Sequence, residues 1–243
     1  MKRLVVNADD FGFTRDVNEG IVEAHRRGIL TAASLMANGR AFDHAVALAR
    51  ENPSLDVGAH LTLAGRFDLE AEIDAQIAKI LEAGIRPTHL DTHKHTHLFP
   101  PVLRLVARAS QKHGIPWVRR PFDYPLNPKG IPWSARMASG ALGFLRGRFH
   151  RVLAEHGCRT TDHFAGFQIT GRFGPAALAQ LIRRLPDGST EFMCHPGFCG
   201  PELRAARTRL KESRARELEA LTSPEVRAAL DESGVRLVSY REL

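Results

Sequence analysis

"RLVVNAD" at residues 3–9, with "TRDVNEGIVEAHRRG" at residues 14–28 behind it, decides how the rest of the chain is read. The first run is apolar and closes on carboxylates. The second has the spacing of an amphipathic helix, with Thr14 as its N-cap and Gly28 as its stop. A strand feeding a helix is half of a βα unit, and the same rhythm recurs along the chain. "LTAASLMAN" precedes "AFDHAVALAREN", and "LDVGAHLTL" precedes "LEAEIDAQIAKILEAG". "THLDTH" precedes "PPVLRLVARASQKHG", whose Pro100 and Pro101 suit a first helical turn. Then come "PWVRRP", a helix over about residues 133–156, "TTDHFAG", "PAALAQLIRRL", "STEFMCHPG", a charged helix around 201–221, and "RLVSY". The expected fold is α/β: a distorted (βα) barrel of seven to eight mostly parallel strands, in a single domain over residues 1–243.

Composition agrees with a soluble globular chain: 43% of the 243 residues are hydrophobic and 25% charged. The formal net charge of +7 is spread over many arginines with no compact basic run, so no nucleic-acid partner is expected. The opening "MKRLVVNADD" is apolar only at 4–6, too short for a secretory or membrane-spanning segment. Cys158, Cys194 and Cys199 are an odd set without zinc-knuckle spacing, read as reduced thiols of a cytoplasmic protein.

In such barrels chemistry gathers at the C-terminal ends of the strands. The acids of "NADD", His60 of "GAHL", the cluster after "THL", the Asp162–His163 pair and His195 of "MCHPG" all fall at or just past expected strand ends. Adjacent Asp9 and Asp10 repel each other unless a cation or proton intervenes. Strand alternation sends them to opposite faces, which implies different roles. In "HLDTHKHTHLFP", residues 89–100, Asp91, His93, His95 and His97 share one parity, so an extended segment would present all four on one face. Imidazoles and a carboxylate on one face suit a borderline divalent metal. One carboxylate of the pair, His60 and one histidine of the cluster would supply three ligands and leave an open position, the pattern of a catalytic site. The other carboxylate is then free to act as a general base on water, and His195 to protonate a leaving group.

"VNADDFG", "GAHLTL", "HLDTHKHTHLFP", "TDHFAG" and "MCHPG", in this order, resemble the YdjC-like carbohydrate deacetylases, which include chitooligosaccharide deacetylases and hopanoid-associated relatives. The resemblance spans nearly the whole chain. It implies a NodB/TIM-like barrel and metal-dependent removal of acetyl from an N-acetylated sugar, on an oligosaccharide or a glycolipid. By the same resemblance Asp10, His60 and His93 match the metal ligands, Asp9 the general base and His195 the acid-side histidine. Asp91, His95 and His97 would orient ligating imidazoles or face the substrate. Arg119, Asp162 and His163 are expected at the sugar-facing rim. One oxygen and two nitrogens favour zinc, with magnesium, manganese or cobalt as other candidates.

Two rival readings are a barrel metallohydrolase acting on phosphodiesters or cyclic amides, and a metal-stabilised carbohydrate-binding protein without turnover. The connection from Leu63 to Thr88 passes almost directly into a helix, where many relatives carry a longer insertion, which predicts an open rim. In the 134–156 stretch Ala138, Ala141, Leu142, Leu145, Phe149, Val152 and Leu153 form an apolar stripe, with Arg146, Arg148 and Arg151 largely off it. That suits a barrel helix, a subunit contact in a possible homodimer, or a helix lying on a membrane surface.

Overall fold

The run of apolar residues at the start of the chain becomes the central strand. β1 (Lys2–Phe11) is buried from Leu4 onward, as a strand covered on both sides must be. The computed structural model describes residues 1–243 except 64–67, 125 and 127–131, and the side chains of 135, 138, 139 and 141 also lie outside the described residues. After β1 come α1 (Arg15–Arg27), β2 (Ala32–Leu35), α2 (Phe42–Glu51), β3 (Asp56–Leu61), α3 (Leu69–Glu82), β4 (His89–Thr92), α4 (Pro100–His113) and β5 (Trp117–Val118). The second half holds α5 (Trp133–Leu142), α6 (Arg146–Glu155), β6 (His163–Ala165), α7 (Pro175–Arg183), β7 (Gly188–Cys194), α8 (Pro201–Ala205), α9 (Glu212–Thr222), α10 (Pro224–Ser233) and β8 (Arg236–Leu237).

All pairings are parallel, in the order β5-β4-β3-β2-β1-β7-β6, and β8 pairs with Arg3 and Leu4 at the start of β1. The sheet curls until its two edges meet through isolated bridges, Trp117 with Arg159 and Asp123 with Phe164. This is the expected distorted barrel, closed on one side by single bridges instead of a full ladder. Each strand overlaps the stretch read for it, with β1 and β7 running a residue or two beyond. Helix signals behave similarly: the Thr14 hydroxyl accepts the Val17 N–H, and Gly114 ends α4 in the left-handed conformation.

Three local expectations change. The helix over 133–156 breaks at a 3₁₀ turn over Gly143–Leu145, between Gly140 and Gly147, where glycine weakens the helix. Of the stripe, Phe149, Val152 and Leu153 are buried and Leu142 and Leu145 half-buried, while Ala138 and Ala141 fall outside the described side chains. The charged helix around 201–221 is two helices, α8 and α9, and α10 follows with Ser223 capping the Glu225 N–H. Most consequentially, the histidine cluster is not extended. β4 stops at Thr92, and His93–Leu98 forms a 3₁₀ turn in which Lys94 and His95 adopt positive φ of 57° and 53°.

Candidate active site

The barrel concentrates polar side chains where its strands exit. β1 ends in a bulge: its register against β2 slips between Ala8 and Phe11, and Asp10 takes φ 69°. A plain strand would send Asp9 and Asp10 to opposite faces. The bulge instead turns both into one cleft of about 680 Å³. A left-handed backbone at a residue bearing a β-carbon costs roughly 1–3 kcal/mol and persists only where the surroundings over-determine it. Here the Asp10 carbonyl accepts the Phe13 N–H at 3.0 Å, and its carboxylate Oδ2 accepts from Arg214 Nη2 at 2.5 Å.

With Oδ2 held by Arg214, Asp10 Oδ1 faces His60 Nε2 at 3.4 Å and His93 Nδ1 at 3.2 Å. The two nitrogens are 3.3 Å apart. Asp10 Oδ1 is buried and makes no well-formed hydrogen bond. Three lone-pair atoms at these separations match corners of a tetrahedron with metal–ligand bonds of about 2.0–2.1 Å. The residues fit a divalent ion. Asp9, His60 and Asp91 also converge, but Arg119 and His60 Nδ1 already occupy that carboxylate pair, so the first trio is the better centre.

Hydrogen bonds around the trio orient it toward the cleft. His60 Nδ1 lies 2.5 Å from Asp91 Oδ1, which keeps Nδ1 protonated and turns Nε2 to the cleft. Burial disfavours charge on His60, yet Asp91 and Asp9 prevail and raise its pKa to about 10. Burial likewise opposes ionisation of Asp10, but Arg214 and the two imidazoles hold it well below the usual carboxylate range. Asp91 is itself anchored, by the Ser34 hydroxyl at 2.6 Å and Arg119 Nη2 at 2.9 Å.

Asp9 sits in different company. Arg119 donates to both its oxygens, Nη1 to Oδ2 at 2.8 Å and Nη2 to Oδ1 at 2.6 Å, and sends Nε to Glu191 Oε1 at 2.6 Å. The guanidinium thus ties Asp9, Asp91 and Glu191 together in the core, and burial pushes Glu191 up to about 7 against the pull of Arg119. His195 faces Asp9 across the cleft, Nε2 to Oδ2 at 3.8 Å, with its Nδ1 buried and unpaired. Burial lowers the His195 pKa to about 4, so the imidazole is neutral at neutral pH. Its loop is pinned twice. Glu217 accepts the His195 N–H at 2.5 Å and the Gly171 N–H at 2.6 Å. Behind it Gly197 lies so close to Gly20 of α1 that a β-carbon on Gly20 would meet it at 2.4 Å.

The expected site residues divide. Asp9, Asp10, His93, His95 and His195 line the cleft, and His60 and Asp91 lie directly beneath. Parity had grouped the cluster, but the 3₁₀ turn separates it. His95 is buried, edge-on to Phe164. His97 bridges Thr92 Oγ1 at 2.6 Å and the Arg119 carbonyl at 3.0 Å, a brace for the turn. Three rim assignments are corrected. Arg119 is a core residue, 1% exposed. Asp162 and His163 lie at the opposite end of the barrel, because β6 begins there instead of ending: His163 is in register with Thr190, and Thr190 with Leu4. Asp162 Oδ2 accepts both the N–H and the hydroxyl of Ser189 at 2.8 Å. Ser34, Glu191, Arg214 and Glu217 were not anticipated. Ser34 and Glu191 each interrupt an apolar strand, which are readable signals, whereas Arg214 looks like any arginine of a charged helix.

The model of the YdjC-like protein family matches residues 3–68 and 64–232. The chain belongs to the YdjC-like family. A carbohydrate deacetylase of Brevibacillus brevis is 31% identical over 271 residues, covering 99% of each chain. Another, from Geobacillus stearothermophilus, is 32% identical over 267 residues, covering 98% of this chain and 96% of its own. A crystal structure from Enterococcus faecalis, of a protein named for cellobiose-phosphate cleavage, superposes with a TM-score of 0.79 at 27% identity, over 99% of this chain and 98% of that one. The half-barrel of the YdjC-like chain is also shared by a family 4 carbohydrate esterase from Streptomyces lividans, at 13% identity and a TM-score of 0.50.

Proposed function

We propose that this YdjC-like chain is a metal-dependent carbohydrate deacetylase that hydrolyses the acetamide of an N-acetylated sugar, carried on an oligosaccharide or a glycolipid. The observation that carries the reading is the trio of Asp10 Oδ1, His60 Nε2 and His93 Nδ1 at mutual distances of 3.2–3.4 Å, beside a second carboxylate that faces the same cleft. Two relatives named carbohydrate deacetylase, 31% and 32% identical over nearly the whole chain, support the same reading. An ion held by that trio would supply a Lewis acid for the acetamide carbonyl and a lowered pKa for water; one oxygen and two nitrogens suit zinc first, then magnesium, manganese or cobalt.

The chain's own groups do the rest. Arg119 fixes both oxygens of Asp9, so the carboxylate meets the attacking water in one orientation and takes its proton. His195 Nε2, 3.8 Å from Asp9 Oδ2, lies within reach to relay a proton to the departing amine nitrogen. A neutral imidazole suits that relay, since it accepts before it donates. The products are acetate and a free amine. Cys158, Cys194 and Cys199 are all unpaired and take no part, which suits a reducing cytoplasm.

The test is acetate release from N-acetylglucosamine, its dimer and a lipid-linked N-acetylated glycoside, with each metal supplied in turn to chelator-treated protein. Release from at least one substrate that depends on added metal is expected. No acetate from any of the three under any metal would remove the reading.

A further inference from the structure

The large apolar side chains that this barrel leaves exposed are not scattered. Among the described residues seven are exposed, and Phe99, Trp133, Met137, Phe144 and Phe198 all belong to segments at the strand-exit end. Trp133 is 73% exposed, Met137 61% and Phe144 92%. Their places follow from the topology. Phe99 comes straight after the 3₁₀ turn of the candidate site, and Phe198 three residues after His195. Ser134, next to Trp133, lines the cleft itself. Phe144 precedes α6, whose far end leads to Arg159 beside the start of β5, so Phe144 stands at the opposite, cleft end. Trp133 and Met137 are one helical turn apart on α5 and share a face.

Charge on this side is as uneven as hydrophobicity. From Thr92 to Ala154 the sequence contains one acid, Asp123. That carboxylate is turned inward onto the N–H groups of Phe167 and Gln168, at 3.1 and 2.8 Å. Arg136, Arg146, Arg148 and Arg151 of α5 and α6 are exposed, and Lys94, Arg207 and Arg209 line the cleft mouth. On the α5 and α6 side, exposed aromatic and apolar side chains set among arginines and without acids are the chemistry of a surface that meets anionic lipid headgroups. A second copy related by a two-fold axis would set this cationic face against itself. A nucleic acid would leave the apolar side chains without a partner.

We propose that the cleft face docks on an anionic bilayer, with Trp133, Met137 and Phe144 entering the headgroup region and the arginines of α5 and α6 meeting phosphates. No helix among the described residues is long and apolar enough to cross a membrane, so the contact is peripheral. The docking involves none of the residues assigned to chemistry; where the deacetylase reading also holds, it places the acetylated sugar on a lipid.

The experiment is flotation of the full, metal-supplied chain with phosphatidylcholine vesicles, with and without phosphatidylglycerol, at low and at high salt. Tryptophan emission is a second readout, since Trp133 is exposed and the other tryptophan, Trp117, is buried. The expected result is binding at least about tenfold stronger to the anionic vesicles, weakened by salt, with a blue shift of emission. The triple variant Trp133→Ser, Met137→Ser, Phe144→Ser and the double variant Arg136→Glu, Arg148→Glu should each lose about tenfold or more while keeping the wild-type melting temperature. Three outcomes overturn the proposal: no flotation at low salt, wild-type binding by the triple variant, or a lipid-free dimer in which Trp133 emission is already blue-shifted. Acetate release from a soluble saccharide is scored separately, so failed docking leaves the deacetylase reading intact.

Discussion

Asp9 and Asp10 are neighbours in sequence, both nearly buried, and each is held by its own arginine, yet the two clamps differ in one respect. Arg119 takes both oxygens of Asp9, while Arg214 takes only Oδ2 of Asp10 and leaves Oδ1 bare between two imidazoles. A carboxylate forked on both sides is oriented and keeps lone pairs for a proton. One gripped on a single oxygen presents the other as a ligand. The bulge at Asp10 makes this possible, since only the left-handed residue brings both acids to one cleft. Residue type alone does not separate the proposed ligand from the proposed base here; the number of oxygens already engaged does.

The largest effect should come from breaking the two halves separately. Asp10→Ala or His60→Ala removes one of the three proposed ligands, and both tightly bound metal and acetate release should fall below detection. Asp9→Asn should retain metal and lower kcat by roughly 10² or more, the scale of a lost general base. Metal content by mass spectrometry beside kcat on each variant decides the matter. If Asp9→Asn loses the metal and Asp10→Ala keeps it, the assignments are reversed.

The clamps themselves should differ next. Arg119 ties three buried carboxylates, so Arg119→Met leaves them facing one another and should cost roughly 3–5 kcal/mol in denaturant unfolding, the scale for breaking a buried ion pair. Arg214→Met frees one oxygen of Asp10 and should instead appear as about 10–100-fold weaker metal binding, as for other groups that orient a ligand. If Arg119→Met unfolds at the wild-type midpoint, Arg119 is not the structural tie between the halves.

Much of this was legible from the chain. The strands of the described residues overlap the stretches read for them, most plainly β1 to β3, because a sheet buried on both faces needs apolar runs. His60 and the acid pair were placed by the rule that barrel chemistry gathers at strand exits. The failures share a cause: each turned on a local departure from regular backbone. Parity along residues 91–97 assumed a strand, but Thr92 Oγ1 takes the His97 N–H and begins a turn, with left-handed Lys94 and His95 carrying no glycine to announce it. Asp162 and His163 were assigned to the wrong end because β6 is three residues long, and in so short a strand start and exit look alike. The arginine clamps were out of reach for another reason. Arg119 is 110 residues from Asp9, and Arg214 is 204 from Asp10. Nothing local in a sequence marks which arginine will be buried.

The last expected effect concerns the proton that separates the two halves. Without metal, His60 holds a pKa raised to about 10: burial opposes the charge, and Asp91 and Asp9 overcome it. The proton on Nδ1 stays with Asp91, so the one to be lost is on Nε2, the nitrogen facing the cleft. Asp10 is already ionised, its pKa lying well below the ordinary value. An ion entering at neutral pH must therefore displace one proton from His60. Apparent affinity should then climb by about tenfold per pH unit from neutrality toward about pH 9 and level off as the pH passes the His60 pKa. Folding of the metal-free chain shows the same linkage with opposite direction. A raised histidine pKa contributes stability in full below about 6.5, the unfolded value, and that contribution is lost as pH rises through about 10. Calorimetric titration of metal in buffers of different ionisation enthalpy measures the released proton directly. Asp91→Asn removes the charge that holds it, so its slope should flatten first at the alkaline end. An affinity independent of pH, with no proton released, would mean that Nε2 is bare before the ion arrives, and that Asp91 orients His60 without charging it.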